Sequence, residues 1–329
     1  MAGSEPIMNR IKRKVFILSG MNAARRASNH KPHVLFWHGV GTAVDPVLCP
    51  EVYGLSAFKR QARYLKRHYD VIAVDELERR LTGNCLTGRE VVLTFDDGYA
   101  NNLSVVAPVL TGLGLPFTVF VSTDNITTGD FYPTTVNRLV TIAAGLDRLD
   151  MPTLGKKFTM ATDGDRIAAA KEISVQMKSR PVDDVKDMVA DLIGNLPARR
   201  WEEIQQRYGH LRPMNWDEVS QLAAMDGVTI GSHCMWHICC HERQRQEEVY
   251  CQIVKSKQVI EERLQRPCDF FAYPNGSYTE FSNGCVGDTY KLGFSAETKT
   301  SVSMQDRNVL PRIAAYIDLD LFKILLSSI

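Results

Sequence analysis

The sequence predicts an α/β fold in which parallel strands alternate with helices. Short apolar runs of strand length recur along the chain and end at glycine or polar residues. Amphipathic segments of helical period separate most of these runs, which is typical of a parallel sheet with crossover helices. The 329 residues are enough for one large domain or two modest ones.

The alternation is clear in two parts of the chain. In the helix predicted at 55–68, Ser56 can serve as the N-cap, and Phe58, Ala62 and Leu65 share one face. The first part contains strands at 33–39, 70–74, 91–95 and 116–121 with helices at 55–68, 75–81 and 101–113. The second part contains strands at 228–232, 269–273, 294–296 and 313–316 with helices at 217–225, 247–265, 277–292 and from 318 onward.

The alternation of strands and helices is interrupted between these two parts. Residues 131–213 contain helical patterns at 136–144, 165–177, 182–193 and 201–208, and no strand of comparable strength. We therefore expect a helical insertion within a main domain of residues 31–329, and we expect it to cover one rim of a site.

Composition excludes some classes of function. Basic and acidic residues nearly cancel, with a net charge of +1, which gives no support for a dedicated nucleic-acid-binding protein. The 8 cysteines form no CxxC pair in a chain long enough to fold without disulfides. This usage favours free thiols in a reducing compartment.

Residues 1–30 form a basic N-terminal segment. Its apolar core at 15–18 is shorter than a signal peptide requires, and no run of 18 apolar residues occurs elsewhere. We therefore expect a cytoplasmic protein. A loosely docked basic arm is the preferred interpretation of the segment, and an amphipathic helix at 8–28 lying on an anionic membrane surface is the alternative.

The strand at 91–95 ends in two adjacent carboxylates, Asp96 and Asp97, followed by Gly98. Holding two like charges at the tip of a buried strand is costly, and a metal cation offsets that cost. One carboxylate can then bind the metal while its neighbour acts as a base. An Asp-rich turn without a metal is the alternative.

Another strand, 228–232, ends in His233 and His237, whose spacing can bring two imidazoles to one cation. Because the carboxyl ends of parallel strands gather on one face, these histidines and the aspartates are expected to meet there. An Asp-His-His set leaves positions open for water and substrate, as catalytic sites require. Inert buried cysteines are preferred over a thiolate zinc site built from Cys234, Cys239, Cys240 or His241.

A third strand ends in a Pro-Asn-Gly turn at residues 274–276. Its backbone N–H groups can stabilise developing negative charge, as in an oxyanion hole. A simple turn beside core aromatics is the alternative.

Together these stretches resemble the polysaccharide deacetylase family, whose members carry NodB-homology domains of carbohydrate esterase family four. Residues 94–98 (Thr-Phe-Asp-Asp-Gly) resemble its first motif, His233 to His237 its His-x-x-x-His motif, and residues 271–276 its aromatic–Pro–Gly motif. The resemblance covers about residues 33–125 and 214–325. It implies a distorted (β/α) barrel and a divalent metal, usually zinc.

The resemblance also implies a role for each matching residue. Asp97, His233 and His237 would bind the metal, and Asp96 would be the general base. The backbone N–H of Asn275 would stabilise the oxyanion formed when water attacks an acetamido carbonyl.

The chain departs from the family pattern at three places. No histidine follows His241, so the late histidine that serves as acid in many members is missing. The chain resembles a branch of the family with a similar first strand, in which His38 would be the acid. A structural role for His38 is the alternative. The arginine that usually orients the base is Ala272 here, and Arg312 can replace it from a late strand. Cys234 replaces the usual Ser or Thr.

These features predict a metal-dependent N-deacetylase acting on an N-acetylated sugar in a polysaccharide or in a lipid- or nucleotide-linked precursor. The expected cytoplasmic location favours a precursor. The alternatives are a deformylase or other deacylase of a small amide, and a catalytically silent carbohydrate-binding domain.

Overall fold

The computed structural model describes residues 7–28, 31–42, 44–297, 302–315 and 318–328. Within these residues the strands are β1 (His33–Trp37), β2 (Gly39–Gly41), β3 (Val52–Gly54), β4 (Asp70–Val71), β5 (Glu90–Phe95), β6 (Phe117–Val121), β7 (Arg148–Met151), β8 (Lys156–Thr159), β9 (Val228–Ser232), β10 (Phe270–Ala272), β11 (Leu292–Phe294) and β12 (Ile313–Ala314). The helices are α1 (Ile7–Leu18), α2 (Met21–Ser28), α3 (Leu55–His68), α4 (Val74–Thr82), α5 (Ala107–Thr111), α6 (Thr123–Thr128), α7 (Pro133–Arg138), α8 (Asp163–Met177), α9 (Val182–Gly194), α10 (Ala198–Arg207), α11 (Trp216–Ala223), α12 (Gln246–Leu264), α13 (Glu280–Thr289) and α14 (Leu319–Ser328).

The main sheet confirms the predicted parallel α/β fold. Its strands follow the order β11-β10-β9-β6-β5-β1-β12, with β4 paired to β5, and every pair is parallel. The strands curl into a distorted barrel. Leu310 bridges to Phe294 of β11, and Ala314 pairs with Phe36 of β1, so the segment around β12 connects the two edges of the sheet.

Alternation along the strands divides the core into two layers. On β1, Leu35 belongs to the large cluster beneath the outer helices, whereas Val34 belongs to a smaller cluster with Phe120 and Phe294. This smaller cluster fills the barrel. Because both faces of each central strand are covered, the strands consist of nearly continuous apolar residues.

The insertion corrects one prediction. Residues 131–213 were expected to be helical, but β7 and β8 form an antiparallel hairpin between the insertion helices. Leu149 and Met151 on β7 and Phe158 on β8 are buried, with exposed or partly exposed residues between them. This period-2 alternation around the turn at Pro152–Leu154 is a strand signal within a mostly helical region. The hairpin packs on the insertion's own hydrophobic cluster, which also takes in Leu48, Cys49 and Val52.

The N-terminal segment is helical and docked rather than a loose arm. Ser327 of α14 donates a hydrogen bond to the Asn22 side chain of α2 at 2.7 Å, and Asn22 is buried. Arg13 of α1 forms an ion pair with Asp318 at 3.1 Å. Residues 1–6, 29 and 30 of the predicted segment lie outside the described residues.

Several predicted boundaries are also corrected. The strand expected at 70–74 is only β4, and the short strand expected at 294–296 begins earlier, as β11. The helix expected at 277–292 begins later, because the Thr279 side chain caps α13. The predicted strand 313–316 is β12, and Tyr316 lies outside the described residues. No helix in the described part of the chain is long and apolar enough to cross a membrane.

Candidate metal centre and active-site cleft

The polar residues singled out in the sequence lie at the carboxyl ends of neighbouring strands. Asp96 and Asp97 follow β5, His233 follows β9, and His38 follows β1. The Pro274–Gly276 turn follows β10. Since all these strands are parallel, their ends open onto one edge of the barrel, where ligands bind in this class of fold.

Three side chains come together as a candidate metal centre. One potential ligand atom each from Asp97, His233 and His237 lies within 4.8 Å of the others. Asp97 Oδ1 is 3.5 Å from His233 Nε2 and 3.2 Å from His237 Nε2. This is the only such cluster of histidine, cysteine and acidic side chains in the described part of the chain. One carboxylate and two imidazoles are ligands that suit zinc.

The orientation of His233 fits metal binding. Its Nδ1 lies 2.7 Å from the carbonyl oxygen of Ala272, which can only accept, so Nδ1 carries the hydrogen. The lone pair is therefore on Nε2, which faces Asp97. Burial lowers the pKa of His233 to about 4, so the imidazole is neutral at neutral pH, as a metal ligand must be.

Asp97 supplies the test of whether these residues fit a cation. Its Oδ1 is buried and accepts no hydrogen bond from any described residue. Burial raises the pKa of Asp97, but the nearby imidazoles of His237, His38 and His233 lower it by more, and the net pKa is well below its ordinary value. A buried, ionised oxygen without a donor, with two imidazole nitrogens beside it, is the environment of a metal ligand.

The backbone is strained where these side chains converge. Among the described residues, 6 other than glycine have a positive φ, and 4 of them belong to this edge of the barrel: Asp97 (φ 70°), Cys234 (φ 64°), His237 (φ 53°) and Asn275 (φ 53°). Such conformations cost about 1–3 kcal/mol each and are concentrated at functional sites. The hydroxyl of Tyr132, at the start of the insertion, donates to the carbonyl of Asp97 and so holds this backbone in place.

Asp96 is held by an arginine instead. Arg312 Nη1 and Nη2 lie 2.7 and 2.8 Å from Asp96 Oδ1 and Oδ2, a bidentate pair. Arg312 is fully buried, and its remaining donors reach the carbonyl of Ser295 at 2.9 Å and the hydroxyl of Thr94 at 3.2 Å. Its guanidinium carbon lies 4.7 Å from the ring centroid of Phe36. The arginine therefore fills the barrel beneath the site.

This pairing sets the charge of Asp96. Burial raises the pKa of the carboxyl, but Arg312, with smaller contributions from His233 and His38, lowers it by more, and the net shift is downward. Asp96 is therefore ionised at neutral pH, and both of its carboxylate oxygens accept hydrogen bonds from Arg312.

A cleft of about 330 Å³ joins these groups. His38, Asp96, Asp97, His237 and Asn275 all line it. Asn275 adopts its positive φ in the turn after β10, and its side-chain amide donates to Cys239 Sγ at 3.2 Å. A Cβ atom at Gly276 would lie 2.6 Å from the backbone nitrogen of Ala296, so the turn requires glycine there.

The insertion supplies one wall of the cleft. Thr134, Arg138, Ser174 and Lys178 line it opposite the barrel residues. Arg138 forms an ion pair with Glu51. The sequence predicts that the insertion covers one rim, but it indicates neither these residues nor Tyr132. Their positions depend on how α7 and α8 pack, for which no local motif exists.

The cysteines form no thiolate site. The structure describes all eight as free thiols, and burial raises the pKa of Cys239 to about 11 and that of Cys234 well above its ordinary value. His241 is directed toward the carbonyl of Arg180 in the insertion, at 3.2 Å. These groups are therefore protonated thiols and a structural histidine.

Comparison with known proteins defines the class. The family model for polysaccharide deacetylases matches residues 83–146 and 192–287, which include both adjacent aspartates and both histidines. The chain belongs to the polysaccharide deacetylase family, whose members are hydrolases of amide bonds. Residues 147–191 of the insertion lie outside the match.

Solved structures share the fold. Streptococcus pyogenes deacetylase PplD, solved in complex with acetate, is similar at 15% identity and a TM-score of 0.58, over 90% of this chain and 96% of PplD. IcaB from Ammonifex degensii is similar at 15% identity and a TM-score of 0.57, over 89% and 97% of the two chains. The BpsB deacetylase domain from Bordetella bronchiseptica is similar at 13% identity and a TM-score of 0.51, over 87% and 96%. No curated protein sequence matches the chain.

Proposed function

We propose that this protein is a metal-dependent hydrolase that removes an N-acetyl group from an amino sugar. The observation that carries the proposal is the division of the two adjacent carboxylates. Asp97 faces two imidazoles with a buried oxygen that has no hydrogen-bond donor, whereas Asp96 is bound by Arg312 in the same cleft. A hydrolase that uses activated water needs both arrangements side by side.

Asp97, His233 and His237 would hold the cation. When bound, a divalent cation such as Zn²⁺ supplies Lewis acidity, which makes water a better nucleophile near neutral pH. The hydrogen bond from His233 Nδ1 to Ala272 fixes the imidazole that faces the cation. The donor set is consistent with zinc, because two of its three atoms are imidazole nitrogens.

Asp96 would accept the proton from the attacking water. Its carboxylate is ionised, and Arg312 restricts its rotation through two hydrogen bonds. The pair supports an active site despite Ala272, where the family has an arginine, because the guanidinium of Arg312 reaches Asp96 from the segment before β12. A missing arginine at position 272 would favour the catalytically silent alternative, and the Arg312–Asp96 contact supports the active one instead.

Two further groups would complete the reaction. The backbone N–H of Asn275, in the turn after β10, would donate to the oxyanion that forms when water adds to the amide carbonyl. His38 would protonate the nitrogen as the C–N bond breaks, which releases acetate and the free amine. Both residues line the cleft that contains Asp96 and Asp97.

The shape of the cleft supports a sugar substrate of limited size. Its volume of about 330 Å³ lies at the small end of the range for ligand pockets, ~300–1,000 Å³. We propose that it receives one N-acetylated sugar unit, from a polysaccharide or from a lipid- or nucleotide-linked glycan precursor. Lys178 and the Arg138–Glu51 pair would contact the sugar from the insertion side.

A single set of assays tests this function. The protein is stripped with a chelator, reloaded with Zn²⁺ and tested for amine release from N-acetyl, N-formyl and N-propionyl amino sugars and their oligomers. We expect release from N-acetyl sugars that depends on added metal. Faster release from N-formyl sugars would identify a deformylase. Sugar binding with no release from any member of the panel would identify a silent binding domain and contradict the proposal.

A further inference from the structure

A strongly basic pocket lies on the flank of the barrel, away from the cleft. It has a volume of about 490 Å³ and is formed by α1, α2, α3 and α14. Its basic lining consists of Arg26, Arg60, Arg63, Arg67, His68 and Lys323. No acidic side chain is among the described residues that line it, and none of its lining residues also lines the catalytic cleft. The pocket is therefore a concentrated positive surface on a protein of nearly neutral net charge.

The positive charge on α3 is uncompensated. Arg60, Arg63 and Arg67 are exposed, and none of their side chains forms an ion pair or hydrogen bond with a residue that the structure describes. Helix α3 contains no acidic residue. The pKa of neighbouring His68 is lowered, first by burial and then by Arg26, Arg67 and Lys323, which is consistent with a local positive potential.

Large apolar side chains are exposed beside this charge. Val15 and Leu18 of α1 are 57% and 84% exposed, and Met21 of α2 is 48% exposed. Lys12 and Lys14 on α1 are also exposed, and the sequence has no acidic residue from position 6 to position 44. Exposed apolar side chains among basic ones on a helical surface are typical of proteins that bind the membrane interface.

The two N-terminal helices present these residues from a fixed position. Asn22 is buried against Ser327, and Arg26 donates to the hydroxyl of Tyr64 on α3 at 3.1 Å. Helices α1 and α2 pack on α14 and α3, and each of the two contributes side chains to the basic pocket. We call residues 12–26 together with the basic pocket the basic face.

We propose that the basic face binds the surface of an anionic phospholipid membrane. Uncompensated arginines complement negatively charged headgroups, and each basic residue near such a surface strengthens partitioning about fivefold. Val15, Leu18 and Met21 would enter the boundary between headgroups and acyl chains. These apolar residues favour a lipid surface over a nucleic acid, which offers no apolar layer for them. Membrane binding would hold the enzyme peripherally while leaving the cleft open, since the two surfaces share no residue.

Vesicle sedimentation of the full chain tests the proposal. We expect binding to vesicles of phosphatidylcholine with phosphatidylglycerol, weakening with added salt, and none to phosphatidylcholine alone. The triple variant Arg60→Ser/Arg63→Ser/Arg67→Ser is expected to lose binding on the order of 100-fold. The double variant Val15→Ser/Leu18→Ser should weaken binding while keeping its salt dependence.

A matched control variant distinguishes the effect of the basic face from the effect of lowering the protein's net charge. Lys171→Ser/Arg199→Ser/Arg207→Ser removes the same charge from exposed positions on the insertion and should bind like the unaltered protein. Equal binding of the two triple variants would overturn the proposal. So would equal binding to neutral and anionic vesicles, or binding to soluble heparin without binding to vesicles, which would assign the face to a soluble acidic partner.

Discussion

Arg312 and Asp96 form a bidentate ion pair with contacts of 2.7 and 2.8 Å, although 216 positions separate them in the sequence. The pair is buried in the barrel, beneath the candidate metal centre but not part of it. We therefore propose a positioning role for Arg312, in which its guanidinium sets the charge and orientation of Asp96 through both carboxylate oxygens.

Replacing Arg312 should therefore change the pH profile. In Arg312→Gln the pKa of Asp96 rises, because burial is no longer offset, and the acid limb of kcat/KM should move to higher pH. Unfolding free energy should fall by about 3–5 kcal/mol, because a buried carboxylate loses its partner. Arg312→Lys, which keeps a positive charge, should show smaller changes in both the acid limb and the unfolding free energy.

Arg138→Gln is the matched control, since Arg138 also lines the cleft in an ion pair but does not contact Asp96. It should leave the acid limb where it is. If the acid limb of Arg312→Gln lies at the same pH as that of the unaltered protein, Arg312 does not position Asp96.

The proposed acid role of His38 can be tested through the leaving group. In His38→Gln, cleavage of a sugar acetamide should fall ~10²–10⁴-fold, because the departing amine needs a proton. Hydrolysis of an activated aryl acetate should slow far less, because its leaving group departs without needing a proton. His241→Gln, outside the cleft, should leave both rates unchanged. Equal losses on both substrates in His38→Gln would show that His38 does not act as the acid.

Tyr132 should support the metal centre from the insertion. Its hydroxyl donates to the Asp97 carbonyl, and its ring packs 5.2 Å from that of His237. In Tyr132→Phe we expect metal affinity to fall about 10–100-fold, measured by competition with a chromophoric chelator. Tyr290→Phe removes a buried hydroxyl that donates to the carbonyl of Ile253 instead, and should not change the affinity. Equal metal affinities of the two variants would show that Tyr132 of the insertion does not support the candidate metal ligands.

His33 should make folding stability depend on pH. Burial lowers its pKa to about 4, although Nε2 donates to the carbonyl of Leu326. The unfolded chain therefore binds a proton between about pH 6.5 and 4 that the folded chain does not. Stability from this group is complete above pH 6.5 and declines as pH falls to 4, by about 3 kcal/mol.

Urea unfolding of metal-free protein at several pH values measures this slope. His33→Gln should flatten it, whereas His210→Gln, at an exposed position, should change it much less. An unaltered slope in His33→Gln would contradict the assignment.

The sequence predicted the strand ends and the residues at them because those features are local. Asp96 with Asp97, and His233 with His237, are short patterns that follow apolar strands, and parallel topology brings strand ends together. The hairpin β7–β8 was missed because its strands are short and lie among stronger helical patterns.

Other features depend on tertiary packing and have weak local signals. The family resemblance made Arg312 a candidate partner for Asp96, but the contact itself forms because the segment from Leu310 to Ala314 joins the two edges of the sheet. Tyr132 and Lys178 reach the cleft through the packing of the insertion. The docked N-terminal helices likewise depend on α14, some 300 residues away in the sequence.

We propose that Asp97 binds metal while Asp96 acts as the base, and paired measurements on Asp96→Asn and His233→Ala test this division most directly. Metal content by elemental analysis and amine release from an N-acetyl sugar are measured on the same samples, with near-ultraviolet circular dichroism to verify folding. Asp96→Asn should retain metal and lose amine release, and His233→Ala should lose both. Full amine release by folded Asp96→Asn, or loss of its metal, would contradict the claim.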